Sequence, residues 1–193
     1  MTDADYSAYN GNDFVVAERS WSGIDDDAQK LRRSFGLENI LKFNIADFLE
    51  LVLDQALSEI SLAIRSKQEM EQTEGFTSLD GKNIILREDV YHRAQRGDTG
   101  ARYTIAHEIG HAFLHANQLA ATARTTRRRI RKSMSSESQA DRFADCFLAP
   151  LHLIAPNDSA DDISEKFGIR KECAERRLKE YRKKILGESE FKF

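Results

Sequence analysis

One short run, His107-Glu108-Ile109-Gly110-His111, constrains this chain more than any other feature of the sequence. On an α-helix, side chains four positions apart lie on one face, about 5–6 Å apart, so two imidazoles at this spacing can hold one cation. The carboxylate between them can then act on water at the ion. The pattern therefore favours a metallopeptidase helix. The alternative is an ordinary helix with one core histidine and one solvated histidine.

The helix that carries this run is predicted to extend to His115. His115 cannot join His107 and His111 on one ion, because eight residues of helix separate His107 from His115 by roughly 12 Å, whereas Zn–N bonds are about 2.1 Å long. We expect His115 to pack against the site or to contact a ligand from behind. Gly110 costs about 1 kcal/mol relative to Ala inside a helix. Close approach of another backbone would explain it, and simple tolerance is the alternative.

A third ligand is expected from the segment Ser136 to Ala144, where Glu137 and Asp141 are four residues apart. Both acids would lie on one face of a second helix, on the edge of an apolar stripe. We predict that Glu137 reaches the ion and that Asp141 bonds a ligating imidazole from behind, which fixes its tautomer. The alternative is a solvated acidic pair on a surface helix.

The residues before the metal-binding helix predict helices and a small antiparallel sheet. Predicted helices cover Asp25 to Phe35 and the segment that follows the capping residue Asn44, with apolar positions at Ile45, Phe48, Leu49, Val52 and Ala56. Predicted strands are Ile60 to Ile64, Gly75 to Leu79 and Lys82 to Leu86, and Asp80-Gly81 favours a two-residue hairpin turn. Glu88 to Gly100 is predicted to be a helical turn and a loop. An exposed edge of such a sheet could accept an extended substrate as a further strand.

The composition is that of an ordinary globular protein, with 40% hydrophobic and 32% charged residues and a net charge of −3. This charge predicts no general attraction to nucleic acid. The two cysteines, Cys146 and Cys173, have neither disulfide-scaffold nor metal-ligand spacing, so a reducing compartment is expected. The N-terminus lacks the pattern of a secretory signal, and the longest apolar stretch is too short to span a bilayer. We expect a cytoplasmic protein with no membrane partner.

A basic segment, Arg124 to Lys132, holds six cationic residues in nine. Such a density of like charge does not pack in a core, so a loop or an exposed helix start is expected. Three interpretations are open: a solvated linker, an electrostatic guide for an acidic substrate segment, or a contact with nucleic acid.

The C-terminal residues predict a helix, a tight turn at Gly168 and a second helix from Arg170 to Lys184. This order resembles a helix-turn-helix. It allows contact with DNA, and a structural cap or a substrate-docking surface is the alternative.

Two motifs, Tyr103 to His111 and Glu137 to Ala144 followed by Pro150, together resemble the ImmA/IrrE family of zinc-dependent metallopeptidases. The resemblance is to a metallopeptidase family of gluzincin type and covers roughly residues 26–185. The basic segment Arg124 to Lys132 departs from the pattern of the family. Members are intracellular bacterial or phage-borne proteins that cleave a repressor with a helix-turn-helix DNA-binding domain. The resemblance implies that His107, His111 and Glu137 bind the metal, and that the catalytic residue is the glutamate between the histidines, Glu108.

We therefore predict an α+β fold, with a small antiparallel sheet packed on a zincin-like helical core and a helix-turn-helix-like C-terminal extension. The predicted divisions are a polar, loosely ordered lead-in (1–24), a metallopeptidase domain (25–156) and the helical extension (157–193). The predicted function is Zn²⁺-dependent cleavage of a partner repressor, with Mn²⁺ as an alternative ion. A non-catalytic, metal-stabilised regulator that binds DNA or a protein through its C-terminal helices is the alternative function.

Overall fold

Helices make up most of the chain that the computed structural model describes, which comprises residues 6–8, 13–50, 60–78, 80–116, 129–185 and 187. The helices are α1 (Trp21–Ser34), α2 (Ile45–Phe48), α3 (Lys67–Met70), α4 (Glu88–Gln95), α5 (Thr99–His115), α6 (Ser136–Leu148), α7 (Ala160–Phe167) and α8 (Lys171–Lys184). The strands are β1 (Tyr6–Ala8), β2 (Ser61–Arg65), β3 (Gly75–Thr77), β4 (Asn83–Arg87) and β5 (Arg129–Arg131). Short 3-10 helices, Lys132–Met134 and Leu151–Leu153, lie on either side of α6. The α+β class is confirmed.

Helix α5 contains the whole His-Glu-x-x-His run. It begins after Asp98, whose side chain accepts a hydrogen bond from the backbone N of Ala101 at 2.8 Å. Asp98 is therefore an N-cap that satisfies one of the free N–H groups of the first turn. A single helical turn was predicted before α5. The structure has a longer helix there, since α4 occupies eight residues.

Three strands form a mixed sheet in the order β2-β4-β3. β3 and β4 pair antiparallel, as predicted, and Gly81 in their connection has a φ of 72°, which glycine adopts without strain. The connection is longer than the predicted two-residue turn, since β3 ends at Thr77 and β4 begins at Asn83. Within it the Asp80 carboxylate accepts hydrogen bonds from Ser78 Oγ and Lys82 N.

The pairing of β2 with β4 is parallel, which differs from the fully antiparallel sheet predicted. The chain leaves β2, passes through α3 and returns as β3 at the far edge, so β4 comes back between them in the direction of β2. Residue alternation indicates that a strand is half-buried but does not say which strand lies beside it.

The C-terminal helix pair packs into the main core. α7 starts with a capping box formed by Ser159 and Asp162, and it ends at Gly168, whose φ of 61° lies in the left-handed region. Arg102 of α5 is fully buried and donates hydrogen bonds to the carbonyl groups of Gly168 and Phe167. The buried side chains of α7 and α8 belong to the same apolar cluster as those of α1, α5 and α6. The predicted helix, turn and helix are confirmed.

The N-terminal segment is held against the start of α6 over part of the length predicted to be loose. Asp13 is buried and its carboxylate accepts hydrogen bonds from Ser135 Oγ, Ser136 Oγ and Glu137 N. Further along, Val16 N donates to the carbonyl of Met134 at 2.9 Å. These contacts place residues 13–19 beside the start of α6.

Some sequence predictions fall outside the described residues, namely Val52 and Ala56 of the second helix and Leu79 of the hairpin. Within the described part, Cys146 and Cys173 are both buried and unpaired, as expected for a chain without a disulfide scaffold. Of the helices that the structure describes, none has the length and apolar character needed to cross a membrane.

Candidate metal centre

The two motif histidines lie on one face of α5 with their side-chain nitrogens together. The Nε2 atoms of His107 and His111 are 3.0 Å apart. Both imidazoles are partly accessible, with 16% and 18% of the side chain exposed. The spacing of four residues therefore brings the two Nε2 atoms together at a point that solvent can reach.

Glu137 brings its carboxylate to the same point from α6. Its Oε2 lies 3.3 Å from His107 Nε2, and its Oε1 lies 3.5 Å from His111 Nε2. The three ligand atoms lie within 4.8 Å of one another. Burial would raise the pKa of Glu137, but its hydrogen bonds to the two imidazoles hold that pKa well below its usual range. Glu137 is therefore anionic and ready to bind a cation.

The donor set fits a divalent metal ion. Two imidazole nitrogens and one carboxylate oxygen are the three protein ligands found in one class of catalytic zinc sites, which leave a further position for water or substrate. Asp141 and His115 contact the Nδ1 atoms of the two histidines, on the side away from the cluster, instead of joining the cluster. The geometry thus favours a site with three protein ligands.

Asp141 lies behind His107. Its Oδ1 is 2.9 Å from His107 Nδ1 and 3.1 Å from the hydroxyl of Tyr103, which donates to it. Burial would lower the pKa of His107, but hydrogen bonds with Asp141 and Glu137 outweigh this and raise the pKa to about 10. In the metal-free protein His107 is therefore protonated at neutral pH, and an ion has to displace that proton.

His115 contacts His111 from behind, which is one of the two roles expected for His115. The two Nδ1 atoms are 3.1 Å apart, and His115 Nε2 is 3.1 Å from Oε1 of Gln139. Burial lowers the pKa of His115 to about 3, so His115 is neutral at physiological pH.

Glu108 is buried beside β3. Thr77 Oγ1 is 2.7 Å from Glu108 Oε2 and 3.0 Å from the Glu108 carbonyl oxygen. A Cβ at Gly75 would stand 2.9 Å from Glu108 Cγ, which is closer than real Cβ contacts, and a tight 3.0 Å from Glu108 Oε1. Only glycine leaves room at this position for the carboxylate in its present place.

Gly110 lies where α5 and α6 meet. A Cβ there would stand 3.2 Å from both Cα and O of Ala140 and 3.2 Å from Cβ of Phe143. Of the two explanations considered for this glycine, close backbone approach is therefore the correct one. The approach brings the helix with the two histidines against the helix that carries Glu137.

A comparison with protein-family models matches residues 62–179 to the peptidase M78 family, described as the IrrE N-terminal-like domain. The match covers more than half of the 193 residues. The chain belongs to this family. The resemblance to ImmA/IrrE proteins is thereby confirmed, and a search among curated proteins found no match.

The fold of this M78 member is similar to that of a solved Mycobacterium tuberculosis transcriptional regulator, with a TM-score of 0.52 and 16% sequence identity. The similarity covers 80% of this chain and 46% of that chain, so this chain spans less than half of the regulator's length. At this level of identity the likeness shows a shared fold.

Several residues beside the M78 site were not singled out from the sequence, namely Asp13, Gly75, Thr77 and Gln139. Gly75 and Thr77 are two positions apart on β3, so strand alternation places them on one face. That period could have identified them once β3 was known to lie against α5. Asp13 and Gln139 reach the site through tertiary contacts, for which the sequence offers no periodic signal.

The basic segment Arg124 to Lys132 lies mostly outside the described residues, which resume at 129. Its described part forms β5 and the first residue of a 3-10 helix, and β5 pairs antiparallel with β1. This part is a strand, in place of the loop or helix start expected. The three interpretations of its role stay predictions.

A cleft adjoins the cluster on the side of Asp141 and Tyr103. Four cationic residues, Lys132, Arg142, Arg170 and Arg176, line it together with acidic residues, among them Asp145 and Glu172. The cleft therefore carries both signs of charge and does not favour an acidic over a basic ligand.

Proposed function

We propose that this protein is a metal-dependent endopeptidase that hydrolyses a peptide bond in a partner protein. The observation that carries the proposal is the convergence of His107 Nε2, His111 Nε2 and a Glu137 oxygen within 4.8 Å, with a second carboxylate, Glu108, on the same helix. Membership of the M78 family supports the proposal. We take Zn²⁺ as the ion, with Mn²⁺ as the alternative, since this donor set suits zinc.

When bound, a divalent ion supplies Lewis acidity that makes water nucleophilic at neutral pH and polarises a carbonyl group. Glu108 would accept the proton of the attacking water and pass it to the leaving amine as general base and then general acid. Thr77 holds one oxygen of Glu108 in place, and the absence of a side chain at Gly75 leaves space beside the other. Asp141 orients His107 through its Nδ1.

The substrate we propose is a helix-turn-helix transcriptional repressor, so that cleavage switches genes on in the cytoplasm. Two similarities support a regulatory role: the resemblance to ImmA/IrrE proteins and the fold shared with a protein named as a transcriptional regulator. Among the strands that the structure describes, β3 lies at the edge of its sheet and carries Thr77 beside Glu108. An extended segment of such a substrate could pair with this edge.

The rival function is a metal-stabilised regulator that binds DNA or a partner through α7 and α8. It predicts a closed site in which Asp141 or His115 supplies a fourth protein ligand. Both residues instead bond to the Nδ1 atoms of the ligating histidines. The geometry therefore favours the enzyme over the structural metal site.

The purified zinc-loaded protein should cut the transcription factor encoded beside its gene, and a chelator should abolish the cut until zinc is restored. Glu108→Gln should retain the metal and lose cleavage, because an amide cannot accept the proton of water. Mass spectrometry of the products and metal analysis of the variant provide the measurements. Glu88→Gln, an exposed change on α4, is the matched control and should leave the rate unchanged. A fully active Glu108→Gln protein would end the proposal.

A further inference from the structure

A line of hydrogen bonds runs from the back of His111 into the protein. His111 Nδ1 faces His115 Nδ1 at 3.1 Å, and His115 Nε2 faces Gln139 Oε1 at 3.1 Å. The amide nitrogen of Gln139 lies 2.9 Å from the carbonyl oxygen of Ala17 and 2.7 Å from that of Ser133. Gln139 is fully buried. We call these three side chains, His111, His115 and Gln139, the neutral relay.

The direction of each bond in the neutral relay follows from its buried end. Backbone carbonyl groups only accept hydrogen bonds, so the two that face Gln139 must meet its NH₂ group. The opposite orientation would press an amide oxygen against two carbonyl oxygens at less than 3 Å. The Oε1 atom of Gln139 therefore faces His115 and can only accept, and His115 must carry its proton on Nε2.

A neutral imidazole has one N–H, so a proton on Nε2 of His115 leaves its Nδ1 bare. That bare nitrogen accepts from Nδ1–H of His111. In the neutral form of His111, which is the form that binds a metal ion, Nε2 then carries no proton and faces His107 Nε2 and Glu137. The lone pair of neutral His111 is thus directed at the cluster.

We propose that the neutral relay fixes His111 in its metal-binding tautomer, and that His115 and Gln139 are positioning residues for the metal. The inference rests on the proposed metal site at His107, His111 and Glu137. It also gives the N-terminal segment a role, because the Ala17 carbonyl group helps to set the orientation of Gln139.

The two ligating histidines are then held by different means. His107 has an anionic partner at Nδ1, the carboxylate of Asp141, whereas His111 has a neutral imidazole. A carboxylate makes its histidine more basic and favours the protonated form, while a neutral acceptor selects a tautomer without adding charge. The neutral relay therefore holds His111 in the tautomer that can bind the ion without placing a negative charge beside it.

Nitrogen-15 NMR of the imidazoles in the metal-free protein reads the tautomers directly at neutral pH. We expect the proton of His111 on Nδ1 and that of His115 on Nε2. A proton on Nε2 of His111, or on Nδ1 of His115, would overturn the proposal. Because no metal is present, this measurement stands even if the wild-type protein binds no zinc, a result that would instead end the proposed function.

Zinc affinity, measured by competition with a chromogenic chelator, tests the consequence. His115→Phe removes the acceptor and should weaken zinc binding about 10- to 100-fold, as loss of such outer partners usually does. His115→Asn places an oxygen where Nδ1 stood and should recover most of the affinity. The matched control is His92→Phe, at an exposed histidine of α4 that also contacts a glutamine, and it should bind zinc like the wild type.

Equal zinc affinity of folded His115→Phe and wild type, or an Asn variant as weak as the Phe variant, would contradict the role of His115. If His115→Phe does not fold, the NMR tautomers of the wild type and the affinity of His115→Asn still decide the question.

Discussion

Thr77 and Gly75 hold the proposed base, Glu108, from the neighbouring strand. The Thr77 hydroxyl can donate to one acceptor at a time, and the Glu108 carboxylate oxygen, at 2.7 Å, is nearer than the Glu108 carbonyl oxygen, at 3.0 Å. A carboxylate with one oxygen engaged has fewer rotamers open to it. The hydroxyl therefore reduces the motion of the group that must meet water in a defined position.

Replacing Thr77 by Val keeps the shape and removes the hydroxyl. We expect kcat/KM for the proposed repressor substrate to fall about 10- to 100-fold, because a misplaced base loses rate steeply. Stability should fall by about 1 kcal/mol, the typical value of one hydrogen bond. Zinc affinity should not change, since Thr77 contacts Glu108 and none of the three ligands. Steady-state kinetics, urea unfolding and zinc titration give these three values.

The control for this change is Thr77→Ser, which retains the hydroxyl and should keep most of the activity. A Thr77→Val protein that cleaves as fast as the wild type would show that Glu108 needs no support from β3.

The contact between α5 and α6 determines whether the residues of the proposed metal site meet. His107 and His111 come from one helix and Glu137 from the other, and Gly110 is the point of close approach between them. The neighbours of Gly110 are backbone atoms of Ala140 and the Cβ of Phe143, which cannot rotate away. Separation of the helices would therefore move Glu137 away from the imidazoles.

Gly110→Ala should lower both stability and zinc affinity. Overpacking costs about 1–3 kcal/mol, and the better helix propensity of alanine returns about 1 kcal/mol, so we expect a net loss of up to about 2 kcal/mol. Thermal unfolding and chelator competition measure the two effects.

The matched control is Gly100→Ala in the same helix. There the added Cβ would meet the end of the Arg170 side chain, which can move, so little or no stability should be lost. A Gly110→Ala protein at least as stable as Gly100→Ala would contradict the packing argument.

At the scale of the whole molecule, Glu180 of α8 joins three parts of the chain. Its carboxylate accepts from both terminal nitrogens of Arg142 on α6 and from Arg177 at 2.7 Å. Arg177 is fully buried and also lies 3.6 Å from Asp25 of α1. Burial would raise the pKa of Glu180, but the bond with Arg142 and the charge of Arg177 outweigh it and lower the pKa to about 2.

This lowered pKa predicts a loss of stability in acid. A carboxyl group whose pKa is lower in the folded than in the unfolded state stabilises the fold above its unfolded value, near 4.5, and the contribution is lost as pH falls towards 2. The difference between the two values corresponds to roughly 3 kcal/mol. The free energy of unfolding of metal-free wild type should therefore exceed that of Glu180→Gln by about this amount at pH 7.

The gap between wild type and Glu180→Gln should narrow as the pH is lowered below 4.5 in urea unfolding experiments. Glu175→Gln, an exposed change in the same helix, should show no such gap at any pH. A gap that is constant between pH 7 and pH 3 would contradict the assignment to the Glu180 carboxylate.

The two helices of the proposed metal site could be predicted from the sequence because helical geometry is local. Residues four apart share a face whatever surrounds them, so His107 with His111, and Glu137 with Asp141, could be paired before any fold was known. The same geometry excluded His115 from the ion. Caps such as Asp98 and Ser159 are also local signals, and so is Gly168, where a tight turn between two helices was predicted.

Contacts between distant segments were decided only by the tertiary structure. The parallel partner of β2, the pairing of β1 with β5, and the packing of Asp13 and Ala17 against α6 join residues far apart in the chain. No period in the sequence reports such contacts, because they depend on which surfaces meet once the apolar faces are buried.

The proposed metal site likewise has features that could be predicted from the sequence and features that only the tertiary structure decided. The sequence by itself determined which side chains could bind an ion, since this depends on residue type and on spacing within a helix. The tertiary structure decided that the two helices meet at Gly110, that Thr77 holds Glu108 and that Gln139 faces His115. Ligand identity is a local property of the chain, whereas ligand orientation depends on hydrogen bonds that form only when distant segments pack together.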